Sequence, residues 1–151
     1  MYKFQQSLNQ SIHHLQIADH MTYVTYPLIN EKRLLLRIIE EISASITYCI
    51  NAILEFEEKS KSKKLDKNFI LKKYSKNYNL NENQIQQIKE ILEINNKHKE
   101  SAMEFVKNEK LVILSNNLGT KIIDIQLIKS YLLTAKELLL KVNQRIERKI
   151  P

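Results

Sequence analysis

The sequence predicts an all-α protein, and three observations predict it. Of 151 residues only one is glycine and two are proline, which leaves almost nothing to punctuate a many-stranded sheet. Apolar residues recur at alternating spacings of three and four through three long stretches, the signature of helices with one buried face. The chain is also long enough to bury one hydrophobic core without disulfides or a structural metal, and too short for two comfortable domains. The predicted architecture is therefore a single domain over residues 1–151, an antiparallel four-helix bundle with a small β-hairpin between the third and fourth helices.

The first helix is predicted over about 4–26. Leu8, Ile12, Leu15, Thr22 and Tyr26 form one stripe, with Asp19 inside it, and Ile17, Met21, Val24 and Leu28 form another. Pro27 should stop this helix, and Asn30 is the predicted N-cap of the next. That second helix, about 31–59, has the cleanest seam: Leu35, Ile39, Ile42, Ile46, Cys49, Ile53 and Phe56. Leu34, Leu36, Ile38 and Ile50 widen its apolar face, which places it centrally among several neighbours.

Residues 60–79 break the pattern and read as a basic connection holding a short helix at most, with Phe69, Ile70, Leu71, Tyr74 and Tyr78 as scattered anchors. The third helix, about 81–106, starts at Asn81 as N-cap and continues through Ile88, Ile91, Asn95, His98, Ala102 and Phe105. Two short apolar runs around the only glycine, Gly119, predict the hairpin over about 110–123. Asp124 then caps the fourth helix, about 125–148, whose seam is Ile125, Ile128, Leu132, Ala135, Leu139, Val142 and Ile146.

Composition excludes several chemistries. A single glycine cannot build a phosphate-binding P-loop, a dinucleotide-binding fingerprint or a nucleophile elbow, each of which needs backbone to turn sharply or approach its ligand closely. With Cys49 alone there is no internal disulfide and no cysteine-rich zinc module, and its seam position makes it a buried thiol of a reducing compartment. Glu-x-x-His and His-Glu-x-x-His spacings are missing, so di-iron and zincin sites fail. No cofactor or metal is expected. The N-terminus carries no continuous apolar run and no window is apolar enough to span a bilayer, so the expected location is cytoplasmic.

The net charge of +7 is concentrated in one place. Lys59, Lys61, Lys63, Lys64, Lys67, Lys72, Lys73 and Lys76 face only Asp66, while the remaining residues carry sixteen basic and sixteen acidic side chains. Richness in Lys, Asn and Ile is also what AT-rich codon usage imposes, so pI by itself carries no inference. What does carry one is the pattern: a neutral body with a single cationic segment meets an anionic partner at one place. Lysines interleaved with Phe69, Tyr74 and Tyr78 suit a phosphate backbone with stacked bases, against the plainer reading of a solvated loop or attraction to anionic lipid.

Two further constellations are candidates. Asp19 and His98 each interrupt an apolar stripe, where an unpaired polar group is costly, and a carboxylate–imidazole pair between neighbouring helices would satisfy both. Such a pair orients a histidine for acid–base catalysis, or is simply structural. His13 and His20 share a face but stand about two turns, ~10 Å, apart, too far to ligate one metal together.

The segments Ala18-Asp19-His20-Met21-Thr22-Tyr23-Val24-Thr25-Tyr26-Pro27-Leu28, Lys32-Arg33-Leu34-Leu35-Leu36, His98-Lys99-Glu100-Ser101 and Glu104-Phe105 resemble a family of small uncharacterised archaeal helical-bundle proteins. The layout is similar, more distantly, to the HEPN superfamily of four-helix, often dimeric domains, many of which cleave RNA through an Arg-x4–6-His motif. That resemblance implies His98 as the histidine, yet Glu93, Leu92 and Ile91 stand where the arginine belongs, which implies the fold without metal-independent RNA cleavage. The expected function is accordingly that of a non-enzymatic interaction protein that self-associates and binds RNA or an acidic protein through Lys59 to Lys76. The alternative is a HEPN-like ribonuclease or toxin–antitoxin component using His98 with Asp19, and a third reading is a scaffold for another protein alone.

Overall fold

The computed structural model describes residues 2–58, 66–100, 103–107, 110–114 and 120–149, and of residues 97–100, 103–107, 110, 111, 113, 114, 120 and 121 the backbone alone. The protein is all-α in class. Its elements are α1 (Lys3–His20), one π-helical turn (Met21–Thr25), α2 (Tyr26–Ile29), α3 (Leu34–Glu58), α4 (Lys67–Tyr74), α5 (Glu82–Glu100), the short strands β1 (Met103–Lys107), β2 (Lys110–Leu114) and β3 (Thr120–Ile123), and α6 (Ile125–Lys149). β2 pairs antiparallel with both β1 and β3, in register Phe105 opposite Val112 and Val112 opposite Ile122.

α3 is the centre, because its apolar face is too wide for one neighbour. Leu35, Ile38, Ile39, Ile42, Ile46, Cys49, Ile50 and Ile53 are all buried, and α1, α5 and α6 pack around them. The seam residues Leu35 to Ile53 are thus core, and Phe56 closes it half-buried. α1 runs antiparallel to α3, since Ser7 meets Glu55, Ser11 meets Ser45 and His14 meets Glu41. Small side chains on both helices let the backbones approach: Ser11 Oγ donates to the Ser45 carbonyl at 2.9 Å and Ser45 Oγ donates to the Ser11 carbonyl at 2.9 Å. α5 and α6 are likewise antiparallel, with Gln84 beside Glu137 and Gln87 beside Thr134.

Caps fix two helix starts. Asn81 Oδ1 accepts the Gln84 N–H at 2.8 Å while Gln84 Oε1 accepts the Asn81 N–H at 3.0 Å, a reciprocal capping box. Asp124 Oδ1 accepts the Leu127 N–H at 2.9 Å at the start of α6.

Several boundaries differ from those the sequence predicts, each for a physical reason. Pro27 does not end the first helical run. The chain widens into a π turn just before it, with Tyr26 N–H bonded to the Met21 carbonyl, and so makes room for a residue that has no N–H and would crowd the preceding turn. Asn30 is a C-cap, not an N-cap: it sits in the left-handed region (φ 55°) and donates its N–H to the Tyr26 carbonyl at 2.7 Å, which Asn tolerates better than most residues. α3 therefore starts at Leu34. The third long helix ends at Glu100 rather than 106, because β-prone Phe105 and Val106 pair with β2 instead. Within 60–79 the short helix that the sequence allowed is present over residues 67–74, and of its predicted anchors Ile70, Leu71 and Tyr78 are buried. The second stripe of the first helical run reaches the core at Met21, while Val24 and Leu28 lie exposed beside Tyr23 and Ile29.

The seam makes a direct prediction. Ile46→Ala should lower unfolding free energy by about 2–5 kcal/mol through lost burial and the cavity left behind. Leu133→Ala, at an exposed position of α6, should stay within about 0.5 kcal/mol of the parent in the same urea titration.

Candidate functional site

The cationic segment is held on a short helix. Asp66 opens α4 by accepting the Asn68 N–H at 3.3 Å, and Ile70 and Leu71 pin one face into the core. The outward face carries Phe69, Lys72 and Lys73, with Lys76 following, while Lys67 is exposed in the first turn on the side of Ile70 and Leu71. Lys67 Nζ donates to Thr47 Oγ1 at 3.3 Å, and Lys73 Nζ donates to Glu58 Oε1 at 2.9 Å. That hydrogen bond, with the attraction of the same carboxylate, raises the Lys73 pKa. Lys59, Lys61, Lys63 and Lys64 lie outside the described residues.

The interleaved aromatics divide by burial. Tyr78 is buried with its hydroxyl on Glu57 at 3.0 Å, and the Arg145 guanidinium rests over its ring. Tyr74 is half-buried and donates to Glu58 at 2.9 Å. Both therefore anchor α4 and its exit to α3, and neither is available as the stacking platform that the sequence suggested. Phe69, 53% exposed, stands beside the lysines.

Between α3, α4 and α5 lies a cleft of about 640 Å³. Lys67 and Lys89 line it, as do Asp66 and Glu93, so the charged groups among its described residues balance. Four amides border it, Asn51, Asn68, Asn95 and Asn96, together with Tyr48 and Leu92. Asn95 is only 8% exposed, and the side-chain oxygens of both Asn68 and Asn95 have no hydrogen-bond donor among the described residues. A buried amide oxygen without a donor costs about 1–3 kcal/mol, so these two are the conspicuous unmet demand of the site. An amide placed in the apolar seam of α5 was the available sequence signal, but its significance depends on what α3 and α4 bring opposite it.

Of the predicted Asp19–His98 pair, Asp19 alone has its side chain among the described residues. Asp19 Oδ1 accepts from Lys136 Nζ of α6 at 2.6 Å, and both side chains are partly exposed, so the carboxylate is satisfied at the rim of the helical body. His98 belongs to the backbone of α5, and its side chain lies outside the described residues. Among the described residues a carboxylate–imidazole pair joins His14 to Glu41. His14 Nδ1 and Glu41 Oε2 are 2.6 Å apart, Arg37 reaches the other carboxylate oxygen at 3.1 Å, and the imidazole stacks on Tyr48 at 5.6 Å. No sequence signal marks Glu41, because it merely adjoins the α3 seam at Ile42. Only the approach of α1 turns that position inward. His13 and His20 are exposed, and among the described residues no group of three or more His, Cys, Asp or Glu side chains converges as a metal site.

Cys49 is buried against Ser11, its Sγ 3.0 Å from Ser11 Oγ. Burial pushes the thiol up from 9.0 to about 12, so it stays protonated and unreactive at neutral pH. Burial raises Tyr78 as well. Among the described residues no helix is long and apolar enough to cross a membrane. No family model matches the chain, and no curated protein shows significant similarity to it.

These interactions set two measurable outcomes. Removing the carboxylate in Glu41→Ala leaves the His14 N–H without its acceptor and Arg37 with Glu40 instead of both carboxylates, and should cost about 1–3 kcal/mol, read by chemical denaturation. The neutral Cys49 thiol favours the folded state fully below its ordinary 9.0, and that contribution is lost as pH climbs toward 12. Melting temperature should accordingly fall across this alkaline window, less steeply in Cys49→Ala, and a thiol reagent should label Cys49 only in denaturant.

Proposed function

We propose that the protein is an antiparallel four-helix bundle, with a hairpin between α5 and α6, that acts by association and carries a strand of RNA along the lysines of the segment 59–76. The observation behind this reading is that Lys72 and Lys73 project from the outward face of a helix whose other face is sunk in the core, with Lys67 exposed in its first turn and Lys76 exposed just beyond its end. A charge run tethered in this way presents its cations at fixed spacing, so less side-chain and backbone freedom is lost on binding than in a loose loop. Phe69 beside the ridge adds a ring on which a base can stack. The otherwise balanced body confines the contact to this face.

Commitment of Asp19 to Lys136 favours association over His98-dependent cleavage. The likeness to HEPN-type domains stands beside this proposal as a shared helical layout without the arginine that such cleavage uses.

Neutralising the ridge tests the proposal. Single-stranded RNA binding should weaken steeply with salt in the parent. The triple variant Lys72→Gln, Lys73→Gln, Lys76→Gln should flatten the log–log salt slope by about 2, at roughly 0.7 for each phosphate that is no longer neutralised. Its melting temperature should change little, because Lys72 and Lys76 are exposed and Tyr74 keeps its bond to Glu58 when the surface pair of Lys73 with Glu58 is lost. No retention of RNA by the parent at low salt would overturn the proposal.

A further inference from the structure

We infer that Tyr2 is a stacking shelf for one base of the bound strand, with Lys3 and Lys149 beside it to hold phosphate. The inference rests on the RNA-binding proposal above and adds a second contact where the ridge meets the end of the helices.

Tyr74 and Tyr78 are committed to anchoring α4, but a ring with an open face stands at the start of α1. Tyr2 stacks on Phe4, with ring centroids 5.2 Å apart and planes 9° from parallel, and Phe4 in turn meets Phe56 of α3 edge-on at 5.2 Å. The backbone fixes Tyr2 as well, because its carbonyl accepts the Gln5 and Gln6 N–H groups at 3.1 and 3.3 Å. Tyr2 nonetheless remains 65% exposed. With one ring face covered by Phe4, that exposure leaves the other face open, and a base can lie against it with no side chain moving.

The surroundings decide what kind of partner fits. Tyr2 and Phe4 border a cleft of about 710 Å³ where α1 begins and α6 ends. Lys3, Arg145 and Lys149 line it against Glu55 and Glu57, a positive balance among its described residues. Each carboxylate already accepts a protein hydrogen bond, Glu55 from Ser7 and Glu57 from Arg145 and Tyr78, so that balance falls to the exposed Lys3 and Lys149. A lipid tail or an apolar peptide laid on Tyr2 would meet these charges, whereas a nucleotide is flat over its base and anionic at its phosphate. The shelf also continues the ridge. Glu57, which holds Arg145 in the cleft, is followed directly by Glu58, which holds Lys73 and Tyr74 of α4, so one turn of α3 joins the two surfaces.

The test uses the full chain and a fluorescently labelled single-stranded RNA of mixed sequence, read by anisotropy, with inorganic polyphosphate as a competing polyanion that has no bases. Tyr2→Ala should weaken RNA binding about ten-fold and leave the log–log salt slope unchanged, because a stacked base releases no counterions. Its affinity for polyphosphate should equal that of the parent. Tyr2→Phe keeps the ring and should bind RNA as the parent does. Lys3→Gln combined with Lys149→Gln should instead flatten the slope by about 1.4, at roughly 0.7 for each phosphate no longer neutralised. Tyr2 is exposed, so Tyr2→Ala should melt with the parent and report on binding alone. RNA affinity untouched by Tyr2→Ala, an equal loss toward polyphosphate, a Tyr2→Phe variant as weak as Tyr2→Ala, or an unchanged slope in the lysine double variant would each overturn the shelf and leave the ridge proposal intact. A parent that binds no RNA would overturn the ridge proposal, and the shelf with it.

Discussion

The near-complete burial of α3 is the constraint on which the rest of the structure depends. A helix with Leu35, Ile38, Ile39, Ile42, Ile46, Ile50 and Ile53 all inaccessible cannot be covered by one partner, so α1, α5 and α6 must pack around it. The buried polar side chains on α3 take their partners from whatever arrives, although Glu55 Oε2 finds none among the described residues. Ser45 meets Ser11, Glu41 meets His14 and Arg37, and Glu55 meets Ser7. The last turn is instructive, because carboxylates there oppose the helix dipole. Glu57 and Glu58 gather Arg145, Lys73 and the hydroxyls of Tyr78 and Tyr74, and in doing so fasten α6 and α4 to the same end of α3. An electrostatic mismatch within one helix becomes the joint that holds three elements together.

That joint has a functional consequence. Lys73 belongs to the basic ridge and is fixed by Glu58, while Lys67 reaches Thr47, so α3 positions the cations as well as the core. Placement of α4 also creates the polar cleft, whose walls come from α3, α4 and α5 and whose amides occupy positions that any one of those helices would leave in solvent. A charged edge thus stands next to a recess whose described charged groups balance.

The all-α class, the seams of α3 and α6 and the caps at Asn81 and Asp124 were legible because periodicity and capping are local: they need only neighbours three or four positions away. The π turn before Pro27 was not legible, since a proline read locally ends a helix and only continued packing of Tyr26 into the core keeps this one going. Asn30 shows the same limit in reverse. Asn suits either end of a helix, and the path of the chain makes it a left-handed terminus. Residues 103–106 continued a helical spacing on paper, yet their partners in β2 lie beyond the reach of any local pattern.

By itself the sequence determined which segments coil, which face of each is apolar and where along the chain the positive charge accumulates, for these follow from side-chain spacing and count alone. Tertiary structure decided the partners of the polar groups. Asp19 went to Lys136, Glu41 to His14, Tyr78 to Glu57, and the oxygens of Asn68 and Asn95 to no donor among the described residues. The physical reason is that hydrogen bonds and ion pairs act over a few ångströms, so their pairing is set by which helices meet and at what register, and neither is encoded within one helix.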